Sequence, residues 1–93
     1  MLLKRLRETG TCTTELGQAV LLAELYCGAS GGWEVNLREL DGSRTIQHRY
    51  ETEQDARRAL EAAYAYGRRH GTWRVDRAAD YLPRLTDGVK GPQ

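Results

Sequence analysis

Two runs of alternating residues joined by an Asp-Gly pair limit what this chain can fold into more than any other feature. In residues 33–40, apolar side chains at every second position would point to one face and polar side chains to the other. Residues 44–50 alternate in the same way, and Asp41-Gly42 between the two runs is a strong signal for a tight turn. The sequence therefore predicts a two-stranded antiparallel β-hairpin.

An Ala-rich helix is predicted directly after this hairpin. Thr52 and Asp55 form a variant of the capping box that opens helices, and Gly71 suits the position just after a helix end. Small apolar residues recur between them at helical spacing. We expect a helix over residues 53–70 whose small side chains let it lie close on a sheet.

The residues before the hairpin also have a helical pattern. Apolar side chains recur at helical spacing from Leu16 to Tyr26, and a threonine at position 13 or 14 would cap the start. The glycine-rich run over residues 28–32 would end the helix and connect it to the hairpin. The sequence therefore predicts a first helix over residues 13–26.

The remaining segments complete a single α+β domain over residues 1–85. Residues 72–76 alternate and predict a third strand, a short helical turn is expected over 78–85, and 86–93 is expected to be a disordered C-terminal tail. The predicted fold is an N-terminal helix, a β-hairpin, an Ala-rich helix and a third strand, forming a small antiparallel sheet with helices on one face. If residues 1–7 form a strand, the order becomes the βαββαβ of a ferredoxin-like fold.

The apolar faces of these elements give a predicted core. A chain of 93 residues buries only one modest core, so each element must contribute to the same one. The residues expected in it are Leu16, Val20, Ala23, Trp33, Val35, Leu37, Ile46, Tyr50, Ala56, Ala59, Leu60, Ala63, Trp73 and Val75.

The charges of the chain almost cancel, with 14 Lys and Arg against 13 Asp and Glu. Residues 1–43 carry four basic and six acidic side chains, whereas residues 44–93 carry ten and seven. The second half is therefore mildly basic, far from the strongly basic character of a typical nucleic-acid binder. An apolar fraction of 40% excludes a chain that is disordered throughout.

The sequence favours a cytoplasmic protein that has no contact with membranes. No apolar run approaches the roughly 18–20 residues of a membrane span, and no secretory signal pattern opens the chain. Cys12 and Cys27 would lie roughly 20 Å apart at the two ends of the predicted first helix, too far for a disulfide. Unpaired thiols suit a reducing compartment.

No arrangement of residues for catalysis or metal binding is evident. The chain has no nucleophile beside a base, no paired carboxylates of catalytic type and no metal-ligand spacing. His48 falls on the inward face of a predicted strand, and His70 falls at a helix end. We therefore expect a protein that is not an enzyme, with no catalytic residue, cofactor, metal or small-molecule substrate.

The outer face of the predicted sheet, which points away from the helices, is the best candidate for a binding site. Arg, Asn and Gln side chains pair with base edges in the major groove, which a small sheet can enter. Further arginines, among them Arg68, Arg69 and Arg77, could add phosphate contacts. The predicted nucleic-acid-binding residues are Asn36, Arg38, Arg44, Gln47, Arg49 and Arg74.

A group of short motifs supports the same prediction. The motifs are Gly32-Trp33-Glu34-Val35, Asp41-Gly42-Ser43-Arg44, Tyr50-Glu51-Thr52, and Ala56, Ala59 and Ala63. Together they resemble the arm-type DNA-binding domain of phage and mobile-element tyrosine recombinases. The resemblance implies a sheet face that contacts DNA through Arg38, Gln47 and Arg49. It implies a small DNA-binding protein that assists recombination or regulation in a phage or mobile element.

A second function class remains open. The near-neutral charge, five Tyr, two Trp and exposed strand edges also suit a protein-binding module. Such a module could inhibit a host defence complex, as anti-CRISPR proteins do, or act as a homodimeric adaptor. An exposed Tyr64, Tyr66 or Tyr81 would favour this alternative, and a continuous positive sheet face would favour DNA.

Overall fold

The computed structural model describes residues 4–78, which form a five-stranded antiparallel sheet with one helix packed on one face. The strands lie in the order β4-β3-β2-β1-β5. The elements are β1 (Lys4–Thr13), β2 (Ala19–Gly28), β3 (Trp33–Glu39), β4 (Thr45–Tyr50), α1 (Glu53–Gly67) and β5 (Thr72–Arg77).

The predicted first helix over residues 13–26 is wrong, because these residues form a turn and most of strand β2. Leu21, Ala23 and Leu25 alternate toward α1 and are buried, while the residues between them face the other way. Because β2 is central and several of its other residues are also apolar, its pattern fits a helix as well as a strand. The turn from β1 is closed by Gly17, whose φ of 84° suits glycine.

The predicted fold class is therefore wrong in its first half. Among residues 4–78, a sheet of five strands with a single helix replaces the predicted two helices on a small sheet. The ferredoxin-like alternative is also wrong, since it requires a helix between the first two strands and a tight hairpin joins them here. Its proposed first strand does exist, but it runs on to Thr13.

The second half of the fold is confirmed. The hairpin over 33–50 is present as β3 and β4, and β5 is the predicted strand after the helix. The Thr52 Oγ1 accepts a hydrogen bond of 3.1 Å from the Asp55 backbone N–H, as the capping pattern predicts. The helix ends at Gly67, three residues earlier than predicted. The predicted turn over 78–85, apart from its first residue, and the predicted tail over 86–93 lie outside the described residues.

The core lies between α1 and the middle of the sheet. The predicted core residues Ala23, Val35, Ala56, Leu60 and Ala63 are buried, and Trp33, Leu37, Tyr50, Ala59 and Trp73 pack around them partly buried. The prediction missed Cys12, Leu21, Leu25 and Tyr64, which are buried as well.

Three predicted core residues are exposed, and a fourth is only half-buried. Leu16 is 94% exposed because it lies in the β1–β2 turn, and half-buried Val20 points away from α1. Ile46 and Val75 do face the side of α1, but they lie on the two outermost strands. A helix about 10 Å wide covers only part of a five-stranded sheet, whose strands are about 4.8 Å apart. α1 lies mainly over β2 and β3, which leaves the apolar side chains of the outer strands open.

Candidate functional site

A buried carboxylate joins three elements at the β5 side of the molecule. Glu8 of β1 is 1% exposed and accepts hydrogen bonds from Arg57 Nη1 at 2.9 Å, Tyr64 Oη at 2.7 Å and Arg77 Nε at 3.0 Å. Burial alone would raise the pKa of Glu8, but the hydrogen bonds from Arg57 and Tyr64 outweigh it and hold the pKa below its ordinary value. With its charge paired and its oxygens bonded, Glu8 fixes α1 and β5 to the sheet.

Two aromatic side chains close the same corner. The rings of Tyr64 and Trp73 meet edge to face with centroids 4.8 Å apart, and Trp73 Nε1 donates to the Tyr64 carbonyl at 2.7 Å. Gly10 and Gly67 lie against these rings, where a β-carbon would overlap them. The corner is closely packed, so its role is structural.

The outer face of the sheet does bring several predicted DNA contacts together. Asn36 and Gln47 are opposite one another on β3 and β4, and Arg38 and Arg49 lie on the same face of these strands. Arg74 lies far from them on β5, three strand spacings from β3 and four from β4, which is about 14–19 Å. Arg44 lies at the hairpin turn, where its Nη2 is 3.3 Å from Glu39 Oε2.

The charges of this face are largely paired with one another. Lys4 Nζ lies 2.8 Å from Glu34 Oε2, and Arg38 Nη2 lies 3.6 Å from Glu24 Oε1. The hydrogen bond from Lys4 holds the pKa of Glu34 below its ordinary value, so that its negative charge persists at neutral pH. The face therefore carries the acidic side chains Glu24 and Glu34 near its centre and is not continuously positive.

The centre of the face also holds acceptor atoms that are not easily reached. Asn36 is only 7% exposed, and its Oδ1 has no hydrogen-bond partner. Oε1 of Glu24, the residue directly opposite on β2, is also without a hydrogen bond. Buried acceptors and carboxylates repel the phosphate oxygens that a DNA-binding face must approach. Of the four arginines among the predicted DNA contacts, Arg49 and Arg74 form no ion pair with the described residues. Both lie on the outermost strands of the sheet.

The β4 edge, meaning the side of β4 turned away from β3, offers unpaired backbone groups. The Glu39 N–H donates to the Arg44 carbonyl at 2.8 Å, which makes residues 39 and 44 a hydrogen-bonded pair of the hairpin. Hydrogen-bonded pairs alternate along antiparallel strands, so Ile46 and His48 also bond to β3. The N–H and C=O groups of Thr45, Gln47 and Arg49 therefore point outward, and no strand within residues 4–78 pairs with them.

The two outermost strands differ in how they protect their free edges. β5 carries Arg74, Asp76 and Arg77, and charged side chains discourage strand pairing. β4 is TIQHRY, with one fully charged side chain, no proline, no lysine and an unbroken register against β3. It is also exposed along almost its whole length. β4 is the less protected edge.

An open groove lies at the end of the sheet where the β3–β4 turn precedes β4. Its volume is about 520 Å³, and it lies between the last turn of α1 and the two hairpin turns. Leu21 and Leu40 line it together with Tyr66 and His70, whose rings are 5.1 Å apart. Ile46 of β4, which does not line the groove, is 47% exposed. The open apolar side chain on β4 itself is therefore Ile46, and the groove lies beyond the turn that leads into β4.

The two histidines have ring partners. His48 lies 5.2 Å from the Tyr50 ring, and neither it nor His70 belongs to a group of three potential metal ligands. No such group exists among residues 4–78. The same part of the chain contains no helix long and apolar enough to cross a membrane.

The exposure of the tyrosines does not distinguish a protein-binding module from a DNA-binding protein. Tyr64 is buried in the core and Tyr66 is half-buried at the groove, while Tyr81 lies outside the described residues. The Glu8 cluster and the direction of the backbone groups on β4 were not predicted from the sequence. A charged residue at an inward position of an alternating strand is a signal for a buried cluster such as that of Glu8. The pairing of residues across the hairpin turn is a signal for which backbone groups of β4 face outward.

Comparison with known proteins adds no relative to this picture. The chain matches no protein-family profile, no curated protein and no solved structure. The resemblance to recombinase arm-type domains therefore stays a prediction.

Proposed function

We propose that this protein is a non-enzymatic protein-binding module that takes up an extended segment of a partner along the β4 edge. The observation that carries the proposal is the row of outward N–H and C=O groups on Thr45, Gln47 and Arg49. An extended peptide can bond to these groups and continue the sheet, a common mode of peptide recognition. The cytoplasm is the proposed compartment, since Cys12 and Cys27 are both unpaired thiols.

The groove and the exposed side chains beside β4 support a polypeptide partner. Alternate side chains of an added strand would point to the same side as α1, next to Ile46. There they can bury apolar surface against Ile46, and a partner that extends past the β3–β4 turn would reach the groove lined by Leu40 and Tyr66. Backbone bonds would supply affinity, and these side-chain contacts would supply selectivity.

DNA binding by the outer face is the weaker of the two functions predicted from the sequence. Phosphate contacts need unpaired cations, and Lys4 and Arg38 already lie against Glu34 and Glu24. Asn36, a predicted base contact, is almost fully buried. The acids would have to be displaced or repelled at the surface that approaches the duplex.

The proposal is tested by selecting random-sequence peptides from a display library for binding to the purified protein. Gln47→Pro removes one outward N–H without removing a bond to β3, and Gln47→Ala removes the same side chain while keeping that N–H. We expect selected peptides to bind the wild type and Gln47→Ala similarly, and Gln47→Pro at least about tenfold more weakly.

Two results would contradict the proposal. One is a selection whose peptides bind the proline variant as well as the wild type, because the β4 edge would then not be the site. The other is the absence of any such peptide together with binding to a mixed-sequence DNA duplex whose log affinity falls linearly with log salt concentration. That outcome would restore the DNA function.

A further inference from the structure

The sequence of β4 is suited to pairing with itself. Two copies of a strand related by a two-fold axis run antiparallel, and opposite residues must then point to the same face of the joined sheet. Pairing about Gln47 meets this requirement, with Gln47 opposite Gln47 of the second copy and Thr45 opposite its Arg49. All three outward-facing residues of β4 would then form hydrogen-bonded pairs, and none of their backbone groups would stay unpaired.

The side chains of β4 do not oppose this pairing. Arg49 is the only full charge on β4 and lies near its end, so the two copies of Arg49 would be about 14 Å apart along the strand direction. At the centre, two Gln47 side chains would face each other on the outer face, and amides can donate to one another. On the side of α1, Ile46 would lie beside His48 of the second copy and cover part of its exposed surface.

We propose that a second copy of this chain is a partner of the β4 edge, so that two molecules join into one ten-stranded antiparallel sheet centred on Gln47. This inference rests on the proposed function, because it uses the same edge. A second copy is the proposed occupant because two β4 strands match each other in length, backbone direction and charge. β5 is the less suitable edge, since three of its six residues are charged.

Sedimentation velocity over a concentration series tests whether the dimer forms through β4. A single pair of six-residue strands makes a small interface, so we expect a reversible dimer that becomes populated between about 10 µM and 1 mM. Gln47→Pro should raise the dimer dissociation constant at least about tenfold, and Gln47→Ala should change it much less. Circular dichroism of each variant verifies that the monomer stays folded.

A charge-exchange experiment tests the position of the two-fold axis and does not depend on a proline. In the proposed pairing, Gln47→Glu places two carboxylates opposite each other, and Gln47→Lys places two ammonium groups there. Each variant alone should dimerise less than the wild type, whereas an equimolar mixture should form a heterodimer. Such rescue requires residue 47 of each copy to lie near residue 47 of the other.

Three results would overturn the inference. They are a monomer throughout the concentration series, a dimer that Gln47→Pro leaves unchanged, and a glutamate–lysine mixture that dimerises no better than its components. Any of them can occur while selected peptides still bind wild type and fail to bind Gln47→Pro. In that case the β4 edge remains a protein-binding site, and only the identity of its occupant is wrong.

Discussion

Single residues decide how tightly α1 and β5 are held to the sheet. Glu8 is buried with two arginines and a tyrosine around it, so its charge is compensated only while all of these groups stay in place. Replacing Glu8 removes the negative acceptor of all three hydrogen bonds and leaves the partly exposed Arg57 and Arg77 without their anionic partner. Glu8 is therefore the residue whose loss should be felt most strongly in stability.

Glu8→Gln should lower the free energy of unfolding by about 1–3 kcal/mol at neutral pH, since Arg57 and Arg77 lose their negative partner. Urea unfolding followed by circular dichroism measures the loss. Glu39→Gln is the matched control, because Glu39 pairs with the exposed side chain of Arg44, and it should cost less than about 1 kcal/mol. Equal losses in the two variants would contradict the structural role of Glu8.

The pH dependence of stability follows from the same residue. The pKa of Glu8 in the folded state is lower than the ordinary value of 4.5, so its stabilising contribution is full above that value. The contribution is lost as the pH falls through the folded-state pKa. The stability difference between wild type and Glu8→Gln should therefore shrink as the pH is lowered below about 4.5, as parallel urea titrations can measure. A difference that stays constant down to pH 2 would exclude this linkage.

Gly67 at the end of α1 is a second residue whose substitution should lower the stability of the fold. A β-carbon there would lie within 2.6 Å of Trp73 Nε1, so alanine would push the indole away from the helix. Gly67→Ala should destabilise the protein by about 1–3 kcal/mol, although alanine is the better helix former by about 1 kcal/mol. Ala65→Gly, on the exposed side of the same helix, is the control and should cost about 1 kcal/mol. Thermal unfolding compares them, and a stabilised Gly67→Ala would show that the indole is not held there.

At the scale of the elements, the direction of the backbone groups on β4 matters more than its side chains. Neighbouring residues of this strand differ in role, because the backbone groups of one bond to β3 and those of the next point to solvent. The difference cannot be read from exposure, since almost the whole strand is exposed. It depends on the pairing of residues 39 and 44 in the hairpin.

A pair of proline substitutions tests this parity. His48→Pro removes an N–H that bonds to β3 and should destabilise the fold by at least about 2 kcal/mol more than Gln47→Pro, whose N–H faces outward. Denaturant unfolding of the two variants measures the difference. If Gln47→Pro proves the more damaging substitution, the assignment of outward groups to the odd-numbered residues is reversed.

The same scale shows why the sequence predicts one half of the fold and not the other. The β3–β4 hairpin, α1 and β5 are predictable because Asp41-Gly42, Thr52 and strict alternation are local signals. β2 is not, because a central strand with apolar residues on both faces has no clear period of two. Whether Leu21 and Leu25 lie on a helix or a strand depends on β1 and β3 pairing on either side, which is non-local.

At the largest scale, the part of the chain that the structure describes has one helix on a five-stranded sheet, which leaves two kinds of surface open. The outer face is crossed by paired charges, and many of its residues could be predicted from alternation alone. Its electrostatic character could not, because Lys4 and Glu24 come from strands that the sequence does not reveal. The β4 edge becomes visible only when the strand order β4-β3-β2-β1-β5 is known. The proposed binding site is therefore the β4 edge and not the outer face.

The claim that partners bind along the β4 edge is tested most directly by amide hydrogen exchange, measured by NMR residue by residue. In dilute protein, the amides of Gln47 and Arg49 should exchange much faster than those of Ile46 and His48, which bond to β3. With a selected peptide at saturation, or at protein concentrations where the dimer is populated, the Gln47 and Arg49 amides should become protected. If they still exchange rapidly when binding is complete, the partner lies elsewhere and the account of this edge is wrong.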